Sequence, residues 1–324
     1  MNHQDGLICA CVLDGEGGGR EVSWPDIDAW GPDQGVLWLH LDRTGSAAKD
    51  WLTRRSGIDP VICKTLLQED VRPRVLAQNE NLLVILRGVN LNPGANVEDM
   101  VGVRVWLEPN RIVTLRYRRL LTINDLREQL ALGTGPNGPG EFLYRLTEGL
   151  IGRMGPVISE IDDRVDQLED EVLTAQSSEL RHKLGGLRRE AIALRRYLAP
   201  QRDVMFRLPT ETIDWLSPIH KAHLRETADR TLRFVEDLEA ARERAAVTQD
   251  ELNSRLSDQM NKTMYLLTVV AAVLLPPSLI TGLFGINVGG MPGVESTFGF
   301  AIIAIAILIV AAVEVVLLRH LKWI

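Results

Sequence analysis

Cysteine is nearly absent from this 324-residue chain. Cys9, Cys11 and Cys63 are an odd, sparse set that builds no disulfide framework and suits a reducing compartment. Met1 to Asp14 lacks the basic-then-apolar pattern of a signal peptide, so the soluble part is expected to stay on the side where it is made. Neither G-x-x-x-x-G-K-[ST] nor G-x-G-x-x-G frames the glycine-rich Gly15–Gly19, which reads as a turn between strands rather than a phosphate loop. No Ser/His/Asp or paired-carboxylate arrangement stands out, so no enzyme and no cofactor are expected. The formal net charge of -7 has the wrong sign for a nucleic-acid partner and suits cations better.

Two further absences set the architecture. From Thr263 to Val294 there is no Asp, Glu, Lys or Arg, and the first charge after Glu295 is Glu314. The rest of the chain, up to Lys262, is densely charged. A large soluble part followed by a small membrane part is therefore expected. From Ile219 to Leu275 there is also no Gly or Pro, which predicts one helix from there to Phe284, about 100 Å long at 1.5 Å per residue. A helix that long needs partners along its length, as in a bundle or coiled coil.

The first ~120 residues alternate apolar β-rich runs with helical stretches. The runs are Leu7–Leu13, Val36–Leu41, Leu82–Val89, Val101–Leu107 and Ile112–Leu115; the helices are expected near Ala47–Ser56 and Pro60–Asp70. Gly133–Gly140 is a breaker and linker. Beyond it, apolar residues three or four apart predict one helix over Phe142–Thr174 and a second over Ser178–Leu208, kinked or ended early at Pro200, the two forming an antiparallel hairpin. The class is α+β: an α/β cytoplasmic domain over 1–132, linker and helical hairpin over 133–217, a stalk helix continuing into the first membrane span over 218–284, an outer loop over 285–297, and a second span with a basic tail over 298–324.

Met264–Phe284 and Phe298–Leu318 each match the bilayer core at about 32 Å as helices. A hairpin of spans puts both of its ends on one side. The tail carries Arg319, His320, Lys322 and Trp323, while the loop Gly285–Thr297 has no Lys or Arg, so the loop is expected outside and both termini in the cytoplasm. Glu314 lies inside the second span within two turns of its cytoplasmic end, where it is read as snorkelling toward the interface near Arg319, with an ion-pathway carboxylate as the other reading.

Steps of three and four along the long helix pick out Asp250, Ser254, Ser257, Asn261, Met264, Thr268, Ala271, Leu275, Ser278, Gly282 and Gly285, a heptad seam of small and polar residues in an otherwise apolar segment. Such a stripe serves either close helix packing or a hydrated pore shared by several copies. Pro276 and Pro277 free backbone carbonyls nearby. Helices ending at Gly285-Ile286-Asn287 around one axis would aim their negative dipole ends and the Asn287 carbonyls at an outer mouth. A ring of neutral oxygens leaves the hydration shell of a divalent ion in place. Glu295 in the outer loop would raise the local cation concentration or stand as a solvated loop charge.

Two C-terminal spans, Gly285-Ile286-Asn287 at the end of the first, a long stalk helix and the Lys322-Trp323 tail resemble the CorA metal-ion transporter superfamily, over the whole chain. Arg196–Val204 (RYLAPQRDV), Arg72–Val75 (RPRV) and Gly133–Pro136 (GTGP) are similar to its ZntB zinc-transport branch. The resemblance implies a funnel-shaped homopentamer in the inner membrane, with the first spans lining the pore and the Gly-x-Asn turn as outer selectivity site. The family's pore levels fall on Asn261, Met264, Thr268, Leu275, Ser278 and Asn287. Magnesium-transporting members carry Gly-Met-Asn; Ile286 resembles the zinc branch instead. This implies Zn²⁺ as cargo, with Ni²⁺, Cd²⁺, Co²⁺ and Mg²⁺ as further candidates and protons as a coupling partner. A Mg²⁺/Co²⁺ channel of the same fold and a membrane-anchored coiled-coil scaffold are the rival readings.

Other residue groups invite a metal. Asp162, Asp163, Asp166, Glu169, Asp170 and Glu171 crowd one helix, as a cation-concentrating surface or a solvated face. His220 and His223 stand three apart on a helix, a spacing open to metal binding or to plain exposure. Cys9 and Cys11 share one face of a strand, as zinc thiolates or buried structural cysteines.

Overall fold

In the N-terminal half of the chain, short apolar runs buried along nearly their whole length form the main strands. The computed structural model describes residues 5–69, 71–174, 178–285 and 296–320. Seven strands, β1 (Leu7–Leu13), β2 (Gly19–Glu21), β3 (Val36–Asp42), β4 (Arg74–Gln78), β5 (Asn81–Gly88), β6 (Val101–Leu107) and β7 (Arg111–Arg116), form one sheet in the order β2-β1-β3-β7-β6-β5-β4. Only β3 and β7, at the centre, are parallel; every other pair is antiparallel. The glycine-rich stretch is the β1–β2 turn. Asp14 Oδ1 accepts from the N–H of Glu16 and Gly18 at 2.8 and 2.9 Å, and Gly17 sits at φ +100, open only to glycine.

Both faces of the sheet are covered. On one, Leu37, Leu39, Leu41, Leu83 and Ile85 pack with residues of α1 (Trp24–Ala29), α2 (Ser46–Asp50), the π-turn Trp51–Arg55 and α3 (Pro60–Leu67), among them Ile27, Trp51, Leu52 and Leu66. The intervening residues face the other way. There Trp38 meets Phe142 of α5 (Pro139–Gly152) edge-on at 5.0 Å. The α4 helix (Leu121–Ala131) precedes α5, and the loop between them is tied to the β1–β2 turn by Gly135 N–H donating to Gly17 O at 2.7 Å. Each fully buried Leu or Trp in these layers contributes about 1.5–3 kcal/mol.

Two helical expectations need correction. Phe142–Thr174 is not one helix: α5 ends at Gly152 and α6 (Met154–Thr174) starts after Arg153. Pro156 has no N–H for the carbonyl of Gly152, and glycines at 152 and 155 weaken the same turn. Pro200, by contrast, does not end α7, which runs unbroken over Ser178–Arg207. Packing holds it through the defect: Leu198, Gln201, Val204 and Met205 are buried. The Gln201 amide grips β5 from both sides, accepting from Arg87 N–H at 2.7 Å and donating to Arg87 O at 3.0 Å.

The α8 helix covers Pro218–Phe284, 67 residues without a break. The chain divides into two compact units, Met1–Gln249 and Asp250–Ile324, so α8 contributes to both. In the first, Leu224, Ala228, Thr231, Val235, Leu238, Ala241 and Ala245 form its buried seam. The second contains the rest of α8 and α9 (Gly299–His320), and both helices are long and apolar enough to cross a membrane.

Candidate functional site: a polar seam on the long helix

The seam read from the sequence lies on one continuous helix. Asp250, Ser254, Ser257, Asn261, Met264, Thr268, Ala271, Leu275, Ser278, Gly282 and Gly285 are all exposed in the single chain. From Ser257 to Gly285 most of the helix is exposed, and the half-buried positions, Val269, Ala272, Val273, Pro276, Pro277 and Ile280, fall off the seam. Since 3.6 residues per turn do not divide seven, the seam drifts by about 20° per heptad along a straight helix.

The hydroxyls of this segment are tied as donors. Thr268 Oγ1 donates to Met264 O at 2.8 Å and Ser278 Oγ to Leu274 O at 2.6 Å. A hydroxyl has one proton and two lone pairs, so these oxygens turn acceptor capacity outward. Pro276 and Pro277 are inside the helix and provide no N–H to the carbonyls of Ala272 and Val273, which adds acceptor capacity. The helix closes at Gly285, whose N–H donates to Thr281 O at 2.9 Å. Ile286, Asn287 and Glu295 lie outside the described residues, as do Leu321 to Ile324 of the tail.

Glu314 is not paired with Arg319. Among the described residues its Oε2 is buried and has no hydrogen-bond partner, and Leu318, one turn on, is buried as well.

The other candidate ligands do not converge on a metal. Among the described residues no three His, Cys, Asp or Glu side chains form a group able to hold one. Three of the α6 carboxylates already have a cation. Arg244 of α8 reaches Asp162 Oδ1 at 3.0 Å and Glu169 Oε2 at 2.6 Å, and also pairs with Asp166. Glu171 pairs with Lys183 at 3.7 Å, while Asp163 and Asp170 face solvent. Nothing in the sequence singled out Arg244, because its partners are some eighty positions away. His223 Nδ1 lies 2.8 Å from Glu148 Oε1 with its ring stacked on Tyr144 at 4.3 Å. His220 approaches the same tyrosine at 5.7 Å and presses on the first turn of α5, where a Cβ on Gly140 would stand 2.2 Å from its Nδ1.

Cys9 and Cys11 share a face of β1 with Trp38 and His40 of β3, their cross-strand neighbours. Burial pushes the two thiols up to about 11 and about 12, so both stay protonated at neutral pH. Cys63 is a core residue; its Sγ lies 3.1 Å from Leu52 O. His40 is fully buried, and desolvation, then the nearby Arg116 and Arg127, lower its pKa to about 3. Thr114 Oγ1 donates to Leu39 O at 3.1 Å and accepts from Trp38 Nε1 at 3.0 Å and from His40 Nδ1 at 2.8 Å. The single hydroxyl proton is used by Leu39, so the neutral imidazole carries its hydrogen on Nδ1.

An α/β unit joined by one helix to two apolar C-terminal helices, the first with a polar seam, is the build of a two-span membrane protein. The CorA-like Mg²⁺ transporter protein family matches residues 33–320, and the chain belongs to that family. It is 42% identical over 322 residues to the divalent cation transporter CmaX of Pseudomonas aeruginosa, covering 98% of this chain and 97% of the relative. It is 35% identical over 311 residues to the zinc transport protein ZntB of Yersinia enterocolitica, covering 96% and 94%. Among solved structures, full-length CmaX superposes with a TM-score of 0.86 at 40% identity over 98% of each chain. The CorA magnesium transporter of Methanocaldococcus jannaschii shares the fold, with a TM-score of 0.80 at 20% identity over 98% of this chain and 99% of that one.

Proposed function

We propose that the chain transports divalent metal cations, Zn²⁺ foremost, through a central pore that five copies build from the membrane part of α8. The observation that carries this reading is the exposed polar seam from Ser254 to Ser278, which leads to Gly285-Ile286-Asn287. A coiled-coil scaffold can pack small residues closely along such a stripe, but it has no need for outward-facing hydroxyl lone pairs and an Asn261 amide on the same seam. A hydrated cation has use for them: Asn287 carbonyls at the outer mouth, then outward-facing hydroxyl and amide oxygens at Ser278, Thr268, Asn261, Ser257 and Ser254. Met264, Ala271 and Leu275 are the intervening apolar levels, where the path narrows and dewets.

Divalent ions lose water reluctantly, so neutral oxygens that accept from the hydration shell fit them better than a cage of direct ligands. Glu295 concentrates cations outside. The carboxylates of α6 beyond those held by Arg244, Asp163 and Asp170 among them, act as a diffuse cation-attracting surface. His220 and His223 are packing partners of Tyr144 in this reading and carry no cargo. The chain sits in the inner membrane with both termini in the cytoplasm, as the basic tail and uncharged loop favour. Ile286 within Gly-x-Asn and the likeness to ZntB proteins support reading zinc ahead of magnesium. A Mg²⁺/Co²⁺ channel is the second reading, favoured by the description of the matching family.

Flux of Zn²⁺ and of Mg²⁺ into liposomes containing the purified protein, with and without a pH gradient, tests this. Zn²⁺ entry that steepens with an imposed proton gradient is the expected result. Mg²⁺ entry without Zn²⁺ entry would select the second reading, and no entry of either would leave the scaffold.

A further inference from the structure

A cleft of about 530 Å³ opens between the α4 helix and the outer part of the sheet, at β1 and β3. Its volume lies in the range of small-molecule sites. Three arginines enter it from two directions: Arg116 from the end of β7, Arg119 from the turn that follows, and Arg127 from α4. Among the described residues none of the three makes an ion pair. Arg119 is held by a neutral group: with the amide oxygen of Asn124 turned toward it, that oxygen accepts from Nε and Nη2 at 2.7 and 2.8 Å. Glu21 and Glu128 also border the cleft, but both are exposed and reach none of the guanidiniums within pairing distance.

Three like charges directed into one recess are unfavourable without a counter-charge. Their mutual effect is visible on the groups beside them. Arg116 is half-buried, and desolvation weakens its hold on its proton; the Asp42 carboxylate opposes this in part, and Arg119 and Arg127 add smaller contributions in the same direction as burial. Arg116 and Arg127 also act on Cys9 and on His40 behind it. The floor is of the opposite character, made of Leu130, Ala131 and the protonated Cys9 and Cys11. Guanidiniums bind phosphate oxygens in pairs, through parallel N–H donors, and one doubly charged phosphate can engage two of them at once.

We infer that this cleft is a binding site for a small phosphorylated anion, its charge held by Arg116, Arg119 and Arg127 and its uncharged part resting on Leu130 and Ala131 of α4 and on Cys9 of β1. The site is separate from the proposed cation path and stands whether or not the cargo is zinc. Its chemistry fits a free polyphosphate as well as an organic phosphate, and the two are distinguished by probe.

Full-length protein in detergent, stripped of metal with EDTA, is titrated calorimetrically with inorganic pyrophosphate and, separately, with ADP. Saturable binding of both, mutually competitive and tighter for ADP, is expected. Pyrophosphate binding without ADP binding would keep the anion site and remove the role of the apolar floor. Arg127→Gln and Arg116→Gln should each weaken binding about tenfold, or about 1.4 kcal/mol. Thermal unfolding and size-exclusion profiles identify a variant that has misfolded; in that event Arg119→Gln, at an exposed position, provides the same reading. Absence of saturable heat with both probes at millimolar concentration, or binding undiminished in all three folded variants, would overturn the inference.

Discussion

The two ends of α8 follow one spacing rule and put it to opposite use. Between Leu224 and Ala245 the residues three and four apart are Leu, Ala, Val and Thr, and they are buried. Between Ser254 and Ser278 the same steps select Ser, Asn, Thr and Met, and they are exposed in the single chain. Elsewhere around the helix the relation reverses, with Glu, Arg and Asp on the upstream surface and Leu, Val and Ile on the downstream one. A helix dissolved in water hides its apolar stripe; a helix dissolved in lipid hides its polar stripe, because lipid tails are as apolar as leucine and do not drive apolar side chains together. If the proposed assembly holds, heptad periodicity identifies the protected face without saying what that face is made of.

The sharpest test of the contrast is at the end of the polar seam. Asn287→Ala should abolish selective cation flux in liposomes while the size-exclusion profile stays unchanged; retained selective transport would remove Asn287 from the path. Next in size, the same substitution should behave differently in the two halves. Leu238→Ala, at a fully buried position, is expected to cost about 2–5 kcal/mol in a denaturant melt. Leu279→Ala, 65% exposed on the apolar surface of the membrane part, should cost well under about 1 kcal/mol, since lipid replaces the lost contacts. Equal losses would break the comparison. Smaller again, Thr268→Val and Ser278→Ala remove an outward-facing oxygen but little volume. Each should slow flux several-fold with the melt unaltered, whereas Leu274→Val, off the seam, should leave flux intact.

A further effect lies in the N-terminal unit and is read by pH. Folding lowers the pKa of His40 from 6.5 to about 3. Between those values the unfolded chain binds a proton that the folded chain refuses, so this contribution is complete above pH 6.5 and is lost as the pH falls toward 3. The slope is at most about 1.4 kcal/mol per pH unit. His40→Asn should flatten the acid side of a plot of unfolding midpoint against pH, whatever it does to the midpoint at neutrality. A wild-type slope retained in the variant would assign the acid sensitivity to other groups.

Legibility in the sequence followed the same physics. Leu7–Leu13 and Val101–Leu107 could be bounded to the residue because each is a dense apolar run buried by neighbours. The strands Gly19–Glu21 and Arg74–Gln78 could not: they are sheet edges, the first short and exposed throughout, the second alternating in burial but with a continuous Val-Leu-Ala run that hides the alternation in the sequence. The α4 helix carries its spacing in Ile123, Leu126 and Leu130, but it lies between the strand-rich first ~120 residues and the Gly133–Gly140 breaker, outside the segments expected from the sequence. The steps of the seam from Asp250 to Gly285 could be traced in the sequence because they are local to one helix; that they line a path belongs to the proposal, and Ile286 and Asn287 lie outside the described residues. The pairing of Arg244 with Asp162, Asp166 and Glu169, and the gathering of Arg116, Arg119 and Arg127 at one cleft, were not. Each depends on how elements distant in the chain are brought together, and a charged residue carries no mark of where it will be folded to.

One consequence follows from the drift of the seam. A stripe that slips sideways by about 20° every heptad keeps facing a common axis only while the helices that carry it wind around that axis in a left-handed sense. In the proposed assembly the degree of winding therefore meters how many oxygens look inward at each level. Straightening the bundle would swing Thr268 and Ser278 out of the bore and bring aliphatic side chains into it. Such a pore closes as a camera iris does, by rotation of its blades, without any plug.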